Sequence, residues 1–485
     1  MDTLNCMKAL ISLLGVILAV VFMASPAHAQ SHENDRYQKL ADDLKTPGLA
    51  VVTFDATGVT DEHYVGVDSN SNPIGPDSLF IWGSISKSFT SALAMMLAEQ
   101  GKIDLNAPLT RYYPEFQGTA LGNNGATVTD LIHHTAGLPR ELNPYPRNLQ
   151  SVIDGVKDLP SVDPVGTHSY SNISYILVQQ LMERATGESY STLLETYVDP
   201  ATGVTPLSRA DTINSTVPAG HAPFFTGNLA VREPIQDYEI GEGNLAGTGR
   251  QLADYGAWQL RQHQAGQLPS IFSTVPTGEG SSEYGAGLEY AKATSSIDGS
   301  EVEIVSHTGA IWGYTTYLGF NQTTGKGFVV LFNSQGLRRQ LNMNMNIKGE
   351  AFIAEALGTE SHKDLPPSIA FGDITLWVQV ALIVILLIAI ALTLRTWVRR
   401  PAPSRTQRRT IITIASALIL GLGTTAAIMI GVPAAIGGMT WKELLISTPD
   451  LTLNFWALAS ETTILALIIT ARQLAWRRKT AAASG

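Results

Sequence analysis

The fold is decided by one stretch of sequence, Phe80-Ile-Trp-Gly-Ser84-Ile-Ser-Lys87-Ser-Phe-Thr90. The residues before Ser84 indicate an extended segment, and apolar residues at helical spacing follow it, which predicts one buried stripe of a helix. That stripe consists of Phe89, Leu93, Met96 and Leu97. Gly101 is expected to end the helix, because glycine commonly follows the last helical residue.

Ser84 and Lys87 form the first candidate catalytic pair. They are three positions apart, so on a helix their side chains share one face, about 5–6 Å apart at Cβ. A serine hydroxyl becomes a strong nucleophile when a base takes its proton, and a lysine with a lowered pKa can be that base. Ser84 also stands at the helix start, where free N–H groups favour an oxyanion. An ordinary surface serine and lysine remain the alternative unless partner motifs exist.

Tyr170-Ser-Asn172 is a second candidate motif, which precedes a helix predicted to end near Gly187. In an extended segment the side chains of Tyr170 and Asn172 point the same way. A tyrosine beside a lysine can ionise below its usual pKa of about 10 and relay protons. Asn172 could hold Lys87 or a substrate amide. The alternative is a packed tyrosine beside an asparagine that caps a helix.

A third candidate motif, His307-Thr308-Gly309, ends a strand predicted over Val302–Ser306. Glycine has no Cβ, so a substrate could approach this strand edge closely. The N–H of Ala310 could then face that of Ser84 and complete an oxyanion hole. The alternative is a strand end with a surface histidine.

The order of the three motifs, S-x-x-K, Y-x-N and H-T-G, resembles the serine β-lactamase and penicillin-binding protein superfamily, in particular its class C-like serine hydrolase branch. The resemblance covers residues 35–358. Further stretches that agree with it are Thr46-Pro-Gly48, Leu131-Ile-His-His-Thr-Ala-Gly-Leu-Pro139 and Gly243–Thr248.

The resemblance implies acyl transfer through an acyl-enzyme on Ser84, with Lys87 and Tyr170 as the other catalytic residues, which move the proton. The substrate-binding residues that it implies are Asn172, His307, Thr308, Gly309 and Ala310. No metal or other cofactor is implied. We expect structural roles for the adjacent His133 and His134, which would point to different faces of a short helix.

One position departs from the family pattern, because many relatives carry a lysine where His307 stands. A lysine offers a permanent charge to a substrate carboxylate, whereas histidine is mostly neutral at neutral pH. We therefore expect His307 to give a carboxylate one uncharged hydrogen bond and to make the protein a poor β-lactamase.

Composition separates the chain into an acidic part and a basic, apolar part. Residues 374–485 hold 11 Lys and Arg against 3 Asp and Glu, so the overall charge of −10 leaves −18 on residues 1–373. The acidic part gives no indication of nucleic-acid binding. Cys6 is the only cysteine, which excludes a disulfide within the chain and a cysteine-based metal site.

The chain begins like an export signal, with Lys8, an apolar core over Ala9–Met23 and the cleavage pattern Ala27-His-Ala29. Three later apolar runs have about the length needed to span a membrane. The expected segments are a signal peptide at 1–29, a hydrolase domain at 30–360, a linker at 361–373, membrane helices at 374–394, 411–432 and 451–471, a cytoplasmic loop at 395–410, an external loop at 433–450 and a cytoplasmic tail at 472–485.

Arginine placement predicts the topology, because positive loops stay in the cytoplasm. The loop at 395–410 contains Arg395, Arg399, Arg400, Arg405, Arg408 and Arg409. The catalytic domain would then lie outside the cytoplasm, on the inner membrane of the cell, as the signal peptide also requires. Glu461 lies within the third run, where we favour a protonated carboxyl bonded to a neighbouring helix.

These observations predict an α+β fold, with a sheet built from both ends of the hydrolase domain and a helical lobe between them. The expected activity is a membrane-anchored serine hydrolase that cleaves amide or ester bonds in a small-molecule or peptide substrate containing a D-amino acid. The architecture also resembles membrane-anchored prodrug-maturing peptidases such as the colibactin-activating peptidase. A D,D-carboxypeptidase or β-lactamase, and a catalytically silent membrane sensor, remain alternatives. A homo-oligomer through the membrane helices stays open.

Overall fold

A computed structural model of the protein describes residues 32–142, 146–266, 273–278, 282–341, 352–360, 371–399, 407–435 and 439–483. The predicted signal peptide lies outside these residues, as does most of the predicted linker. Twelve strands are present in the described residues. In chain order they are β1 Gly48–Asp55, β2 Gly58–Gly66, β3 Phe80–Ile81, β4 Gly220–Phe224, β5 Gly227–Val231, β6 Ala246–Gly247, β7 Val275–Pro276, β8 Glu283–Gly285, β9 Leu288–Thr294, β10 Glu301–Ile311, β11 Tyr314–Asn321 and β12 Lys326–Phe332.

Eight of these strands form one antiparallel sheet in the order β2-β1-β12-β11-β10-β9-β8-β7. The amino-terminal hairpin β1–β2 is therefore paired with strands from the end of the segment predicted as a hydrolase domain, residues 30–360 (the hydrolase part). This confirms the predicted α+β fold and the predicted sheet built from both ends. Between β2 and β7 the chain forms mainly helices and two small two-stranded sheets, β3–β6 and β4–β5.

Side-chain alternation along the strands gives the sheet two buried faces. On β1, Leu49 and Val51 pack with Leu40 of the first helix and with Leu357. Ala50, Val52 and Phe54 belong to the larger core on the other face, which continues into the helical lobe. The three candidate catalytic motifs lie where this lobe meets the sheet.

Helices cover both faces of the sheet and form the lobe. In the hydrolase part they are His32–Asp43, Ser86–Glu99, Ala120–Asn123, Val128–Ile132, Leu149–Lys157, Asn172–Thr186, Tyr190–Leu193, Asp199–Thr202, Ala210–Thr216, Gly249–Gln264, Leu337–Leu341 and 352–357. Short 3-10 or π-helical turns are Gly83–Ile85, Leu109–Arg111, Pro114–Phe116, Leu194–Val198, Asp237–Glu239 and Ile240–Asn244. Thr248 and Gln251 form a capping box at the start of the helix Gly249–Gln264.

Two sequence expectations about local structure were wrong. The helix Ser86–Glu99 is buried nearly all round instead of along one stripe, because the sheet and the lobe enclose it. His133 and His134 follow the short helix Val128–Ile132 instead of lying on it, and His134 adopts a left-handed φ of 59°. A turn at Ala286 and Gly287, both with positive φ, separates β8 from β9.

Within the part of the chain that the structure describes, three helices are long and apolar enough to cross a membrane, Phe371–Val398, Ile412–Ala435 and Pro449–Ala475. The complete elements are Phe371–Arg399, Gln407–Ala426 continued by Ala427–Gly431 and Val432–Ala435, and Pro449–Ala483, with a further short helix at Trp441–Ser447. Glu461 is buried, and its Oε2 has no hydrogen-bond partner among the described residues, so this oxygen does not form the predicted bond.

A buried ion pair joins the hydrolase part to these helices. Arg338 follows β12 and contacts the carboxylate of Asp450 at the start of the third of these apolar helices, and both side chains are buried. The guanidinium of Arg338 also donates to the carbonyl of Phe225 at 2.7 Å and lies 3.5 Å from Asp373 of the first apolar helix. The N–H of Phe225 donates to Asp450 at 2.7 Å. We call Arg338, Asp450, Asp373 and Phe225 the membrane junction.

Candidate active site

Ser84 lies in the turn Gly83–Ile85, between β3 and the buried helix Ser86–Glu99. This turn is pressed against the end of β10. A Cβ on Gly83, which has a φ of +58°, would lie 2.5 Å from the amide nitrogen of Ala310. A Cβ on Gly309 would lie 2.0 Å from the carbonyl oxygen of Trp82. Only glycine at both positions allows the two backbones to approach this closely.

This contact places the backbone of Ala310 beside the turn that carries Ser84. Two backbone N–H groups, one on each side of a nucleophile, are the usual construction of an oxyanion hole. The geometry is compatible with the predicted pair of donors on Ser84 and Ala310. Their role stays a prediction.

Lys87 is fully buried, and its ammonium group is surrounded by oxygen atoms. Its Nζ donates to Ser84 Oγ at 3.1 Å, to Asn172 Oδ1 at 2.7 Å and to the carbonyl oxygen of Glu242 at 2.5 Å. The sequence motifs S-x-x-K and Y-x-N are therefore joined by direct hydrogen bonds. Three fixed acceptors hold the lysine where it can exchange a proton with the serine.

Glu242 is a member of the site that the sequence motifs did not indicate. It lies in the π-helical turn Ile240–Asn244, which packs against the helix Ser86–Glu99. Its carboxylate Oε2 is 3.4 Å from Lys87 Nζ and forms a buried ion pair. Burial raises the pKa of Glu242, and the charge of Lys87 opposes this increase. The charge of the lysine is thus compensated within the protein.

Asn172 connects Lys87 to a second carboxylate that the motifs did not indicate, that of Glu141. Asn172 Nδ2 donates to Glu141 Oε1 at 2.5 Å. This contact fixes the amide orientation, because its oxygen faces the lysine ammonium and its nitrogen faces the carboxylate. Burial, reinforced by the charge of Glu242, raises the pKa of Glu141 to about 7.

Tyr170 lies over Lys87, with 5.0 Å between the ammonium nitrogen and the ring centroid. The guanidinium of Arg140 lies 5.1 Å from the same centroid, and the ring of His307 lies 6.1 Å away. The tyrosine is therefore beside both other motifs, as predicted. Its hydroxyl makes no hydrogen bond to Ser84 or Lys87 among the described residues, and catalytic hydrogen bonds often tighten only when substrate binds.

His134 packs against the Tyr170-Ser-Asn172 motif. Its ring centroid lies 4.4 Å from that of Tyr170, and its Nδ1 accepts a hydrogen bond from the N–H of Ser171 at 3.1 Å. Burial lowers the pKa of His134 well below its usual value, so the ring is neutral. Its protonated Nε2 then donates to the hydroxyl of Tyr284 at 3.2 Å. This contact fits the structural role expected for His134.

His307 is buried, and its hydrogen bonding corrects one sequence expectation. Its Nδ1 lies 2.8 Å from the carbonyl oxygen of Thr308, and a carbonyl only accepts, so Nδ1 carries the proton. Burial and the charge of Lys87 lower the pKa of His307 to about 3, which keeps the ring neutral. Nε2 is therefore an acceptor. The expectation that it donates a hydrogen bond to a substrate carboxylate was wrong, because the backbone selects the other tautomer.

The structure thus brings all predicted site residues to one place, at the junction of the turn, the lobe and the end of β10. Ser84, Lys87 and Asn172 are in direct contact. The remaining predicted residues surround them, and they are Tyr170, His307, Thr308, Gly309 and Ala310. Thr308 is exposed on the β10 edge, next to the buried His307.

The family comparison agrees with this geometry. The Beta-lactamase family model matches residues 34–351, and the chain therefore belongs to the β-lactamase family. Its fold resembles the octameric penicillin-binding protein homologue from Pyrococcus abyssi, with a TM-score of 0.55, 21% identity, and coverage of 69% of this chain and 79% of that one. A β-lactamase/D-alanine carboxypeptidase from Pseudomonas syringae gives a TM-score of 0.52, 19% identity, and coverage of 62% and 94%.

Curated relatives are hydrolases. An unguisins hydrolase of Aspergillus campestris is 24% identical over 59% of this chain and 58% of its own length. A β-lactamase of Providencia stuartii is 28% identical over 39% and 49%. A teichoic acid D-alanine hydrolase of Staphylococcus aureus is 26% identical over 35% and 43%. The chain thus spans about half the length of these relatives, and it has the β-lactamase fold.

Proposed function

We propose that the protein is a membrane-anchored serine hydrolase that cleaves amide or ester bonds of D-amino-acid-containing substrates outside the cytoplasm, through an acyl-enzyme on Ser84. The observation that carries this proposal is the 3.1 Å hydrogen bond between Lys87 Nζ and Ser84 Oγ, with Lys87 held by Asn172 and by the backbone of Glu242. In this setting the ammonium group of Lys87 donates a hydrogen bond to the hydroxyl of Ser84 and stabilises negative charge on a neighbouring base. Labelling of Ser84 by a fluorophosphonate tests the proposal.

The chemistry follows from these contacts. Ser84 Oγ attacks the substrate carbonyl while its proton passes to the Lys87–Tyr170 pair, and the oxyanion is held by the N–H groups of Ser84 and Ala310. The pair then protonates the leaving amine or alcohol, which departs and leaves the acyl group on Ser84. A water molecule gives its proton to the same pair and attacks the acyl carbonyl. The bond to Ser84 Oγ then breaks, the pair returns the proton to Ser84 Oγ, and the acid is released. Because Glu242 compensates a charged Lys87, we assign the proton-accepting role to Tyr170 and the role of stabilising its phenolate to Lys87.

The proposed substrate class is supported by relatives. One is named for D-alanine release from teichoic acid and another for hydrolysis of unguisins. A D-alanyl ester would present a D-acyl group to Ser84. The narrower interpretation as a prodrug-maturing peptidase stays a prediction from architecture.

The residue at position 307 in the third motif is expected to affect the hydrolysis of β-lactams. A lysine in place of His307 would give a substrate carboxylate a charged donor instead of the lone pair of Nε2. Hydrogen bonds to charged groups contribute about 1.5–3 kcal/mol against about 1 kcal/mol for neutral ones. We expect His307→Lys to raise kcat/KM for a chromogenic cephalosporin about fivefold or more. A neutral ester serves as the control substrate and should change little. No selective gain for the cephalosporin would contradict this role.

The predicted topology is supported by the membrane junction. Arg338 of the hydrolase part contacts Asp373 and Asp450, which lie at the ends of the first and third membrane helices opposite the arginine-rich loop. If that loop is cytoplasmic, the hydrolase part lies outside.

Cysteine labelling tests this arrangement in the full chain, because Cys6 is its only native cysteine and lies in the predicted signal peptide. We expect a membrane-impermeant maleimide to label Met439→Cys in intact cells. Ser404→Cys, within the arginine-rich loop, should react only after permeabilisation. The reverse pattern would place the hydrolase part in the cytoplasm.

A further inference from the structure

We infer that the acyl part of the substrate carries a free ammonium group, which binds the carboxylate of Glu141 beside Asn172. This inference rests on the proposed function and specifies its substrate class. It concerns the side of the site that Asn172 and Glu141 form. Through Lys87, Asn172 is two hydrogen bonds from Ser84 and Glu141 is three.

Glu141 is positioned to receive such a group. Its Oε1 accepts from Asn172 Nδ2 at 2.5 Å, and this is its only hydrogen bond among the described residues. Oε2 is left as an acceptor next to an asparagine that lies beside the nucleophile. A carboxylate that holds a site residue with one oxygen can bind a cation with the other.

His307 gives an independent indication of the same preference. Its Nε2 is a lone-pair acceptor that is buried and has no hydrogen-bond partner among the residues that the structure describes. The His307 ring lies 6.1 Å from the ring of Tyr170, two residues before Asn172 along the chain. Two hydrogen-bond acceptors therefore lie at this place. They are Nε2 of His307 beside Tyr170 and Oε2 of Glu141 beside Asn172. A substrate carboxylate would meet lone pairs at both.

The charges of the cleft agree with a cationic substrate. Its enclosed part contains Glu141 and Glu242 against one cation, Lys87, which is already paired with Glu242 at 3.4 Å. One ammonium group restores neutrality there. Arg140 is the other nearby cation, but its side chain is exposed, so water screens it more than the buried groups.

Glu141 also predicts how this selectivity depends on pH. Burial and Glu242 raise the pKa of Glu141 to about 7, so the carboxylate is partly protonated at neutral pH. An ammonium group binds the ionised form. Its affinity should therefore be weak below pH 7 and should increase as the pH rises through about 7, until the substrate amine itself loses its proton.

The test compares three anilides on the full-length protein in membranes: D-alanine p-nitroanilide, its N-acetyl derivative and its N-succinyl derivative. We expect the free-ammonium substrate to have the highest kcat/KM and the succinylated one the lowest. Glu141→Gln, which keeps an acceptor for Asn172, should lower the ratio of kcat/KM for the ammonium and acetylated substrates about tenfold or more. Glu99→Gln removes an exposed charge at the far end of the Lys87 helix and serves as the matched control.

Several outcomes overturn the inference without affecting the proposed function. They are a wild-type preference for the acetylated or succinylated anilide, an equal loss for both substrates in Glu141→Gln, and identical pH profiles for the ammonium and acetylated substrates in the wild type. The pH comparison needs no variant, so it decides the matter even where Glu141→Gln does not fold. Fluorophosphonate labelling of Ser84 is measured in parallel, and its absence contradicts the proposed function itself.

Discussion

Replacing Ser84 with alanine is expected to lower turnover of every substrate by at least about 10³, as the loss of a catalytic serine does in other serine hydrolases. The physical reason is that Ser84 Oγ is the acceptor of a 3.1 Å hydrogen bond from Lys87 and lies beside the backbone of Ala310. Without it no acyl-enzyme can form. The measurement is kcat/KM for a chromogenic D-amino-acid ester in membranes, with covalent labelling followed on the same samples.

Ser88→Ala is a matched control for this substitution. Ser88 is buried on the same helix, but its hydroxyl donates to the carbonyl of Ile85 at 2.8 Å and does not contact Lys87 Nζ. Removing this local hydrogen bond should change stability by about 1 kcal/mol and leave covalent labelling in place. Full activity in Ser84→Ala would contradict the mechanism, whatever the control shows.

The second large effect is expected at the membrane junction. Asp450→Ala would leave the buried guanidinium of Arg338 without its closest carboxylate. Removing one partner of a buried ion pair costs about 3–5 kcal/mol, whereas replacing both by apolar residues of similar volume is often nearly neutral. We therefore expect a strongly destabilised hydrolase part in Asp450→Ala. The double variant Arg338→Met, Asp450→Leu should recover much of the loss.

The measurement for the junction is the free energy of unfolding of the full chain in detergent, taken as a double-mutant cycle with the two single variants. Asp373 lies 3.5 Å from Arg338 and contributes a second, weaker contact. Arg338→Met alone should also be destabilising, because it removes the cation beside the buried carboxylate of Asp450. Strictly additive single and double effects would show that the pair is not coupled.

Sequence reasoning was most successful where short local patterns determine structure. The helix that follows Ser84 and the helix that ends before Gly187 follow from apolar spacing and from glycine at the helix end. The three motifs also lie together. Each stands at the end of a strand or helix, and the fold places these ends at one junction. Order along the chain was enough to predict their association.

The parts that were missed depend on contacts between distant segments. Glu242 is 155 residues from Lys87, and nothing local distinguishes its glycine-rich turn from a loop. Glu141 follows the stretch that ends at Pro139, and only its contact with Asn172 makes it part of the site. The tautomer of His307 depends on the orientation of one backbone carbonyl, that of Thr308. The available signals were a glutamate two residues after the stretch that ends at Pro139 and another directly before the stretch Gly243–Thr248.

The central claim is a covalent acyl group on Ser84, and trapping that intermediate tests it most directly. The full-length protein in membranes would be mixed with a D-alanine ester, quenched in acid within the first turnovers, and digested for mass spectrometry. The account predicts an alanyl adduct on the peptide that contains Ser84 and Lys87, localised to Ser84, and no such adduct in Ser84→Ala. An adduct on another residue, or turnover of the ester in Ser84→Ala at the wild-type rate, would contradict the account.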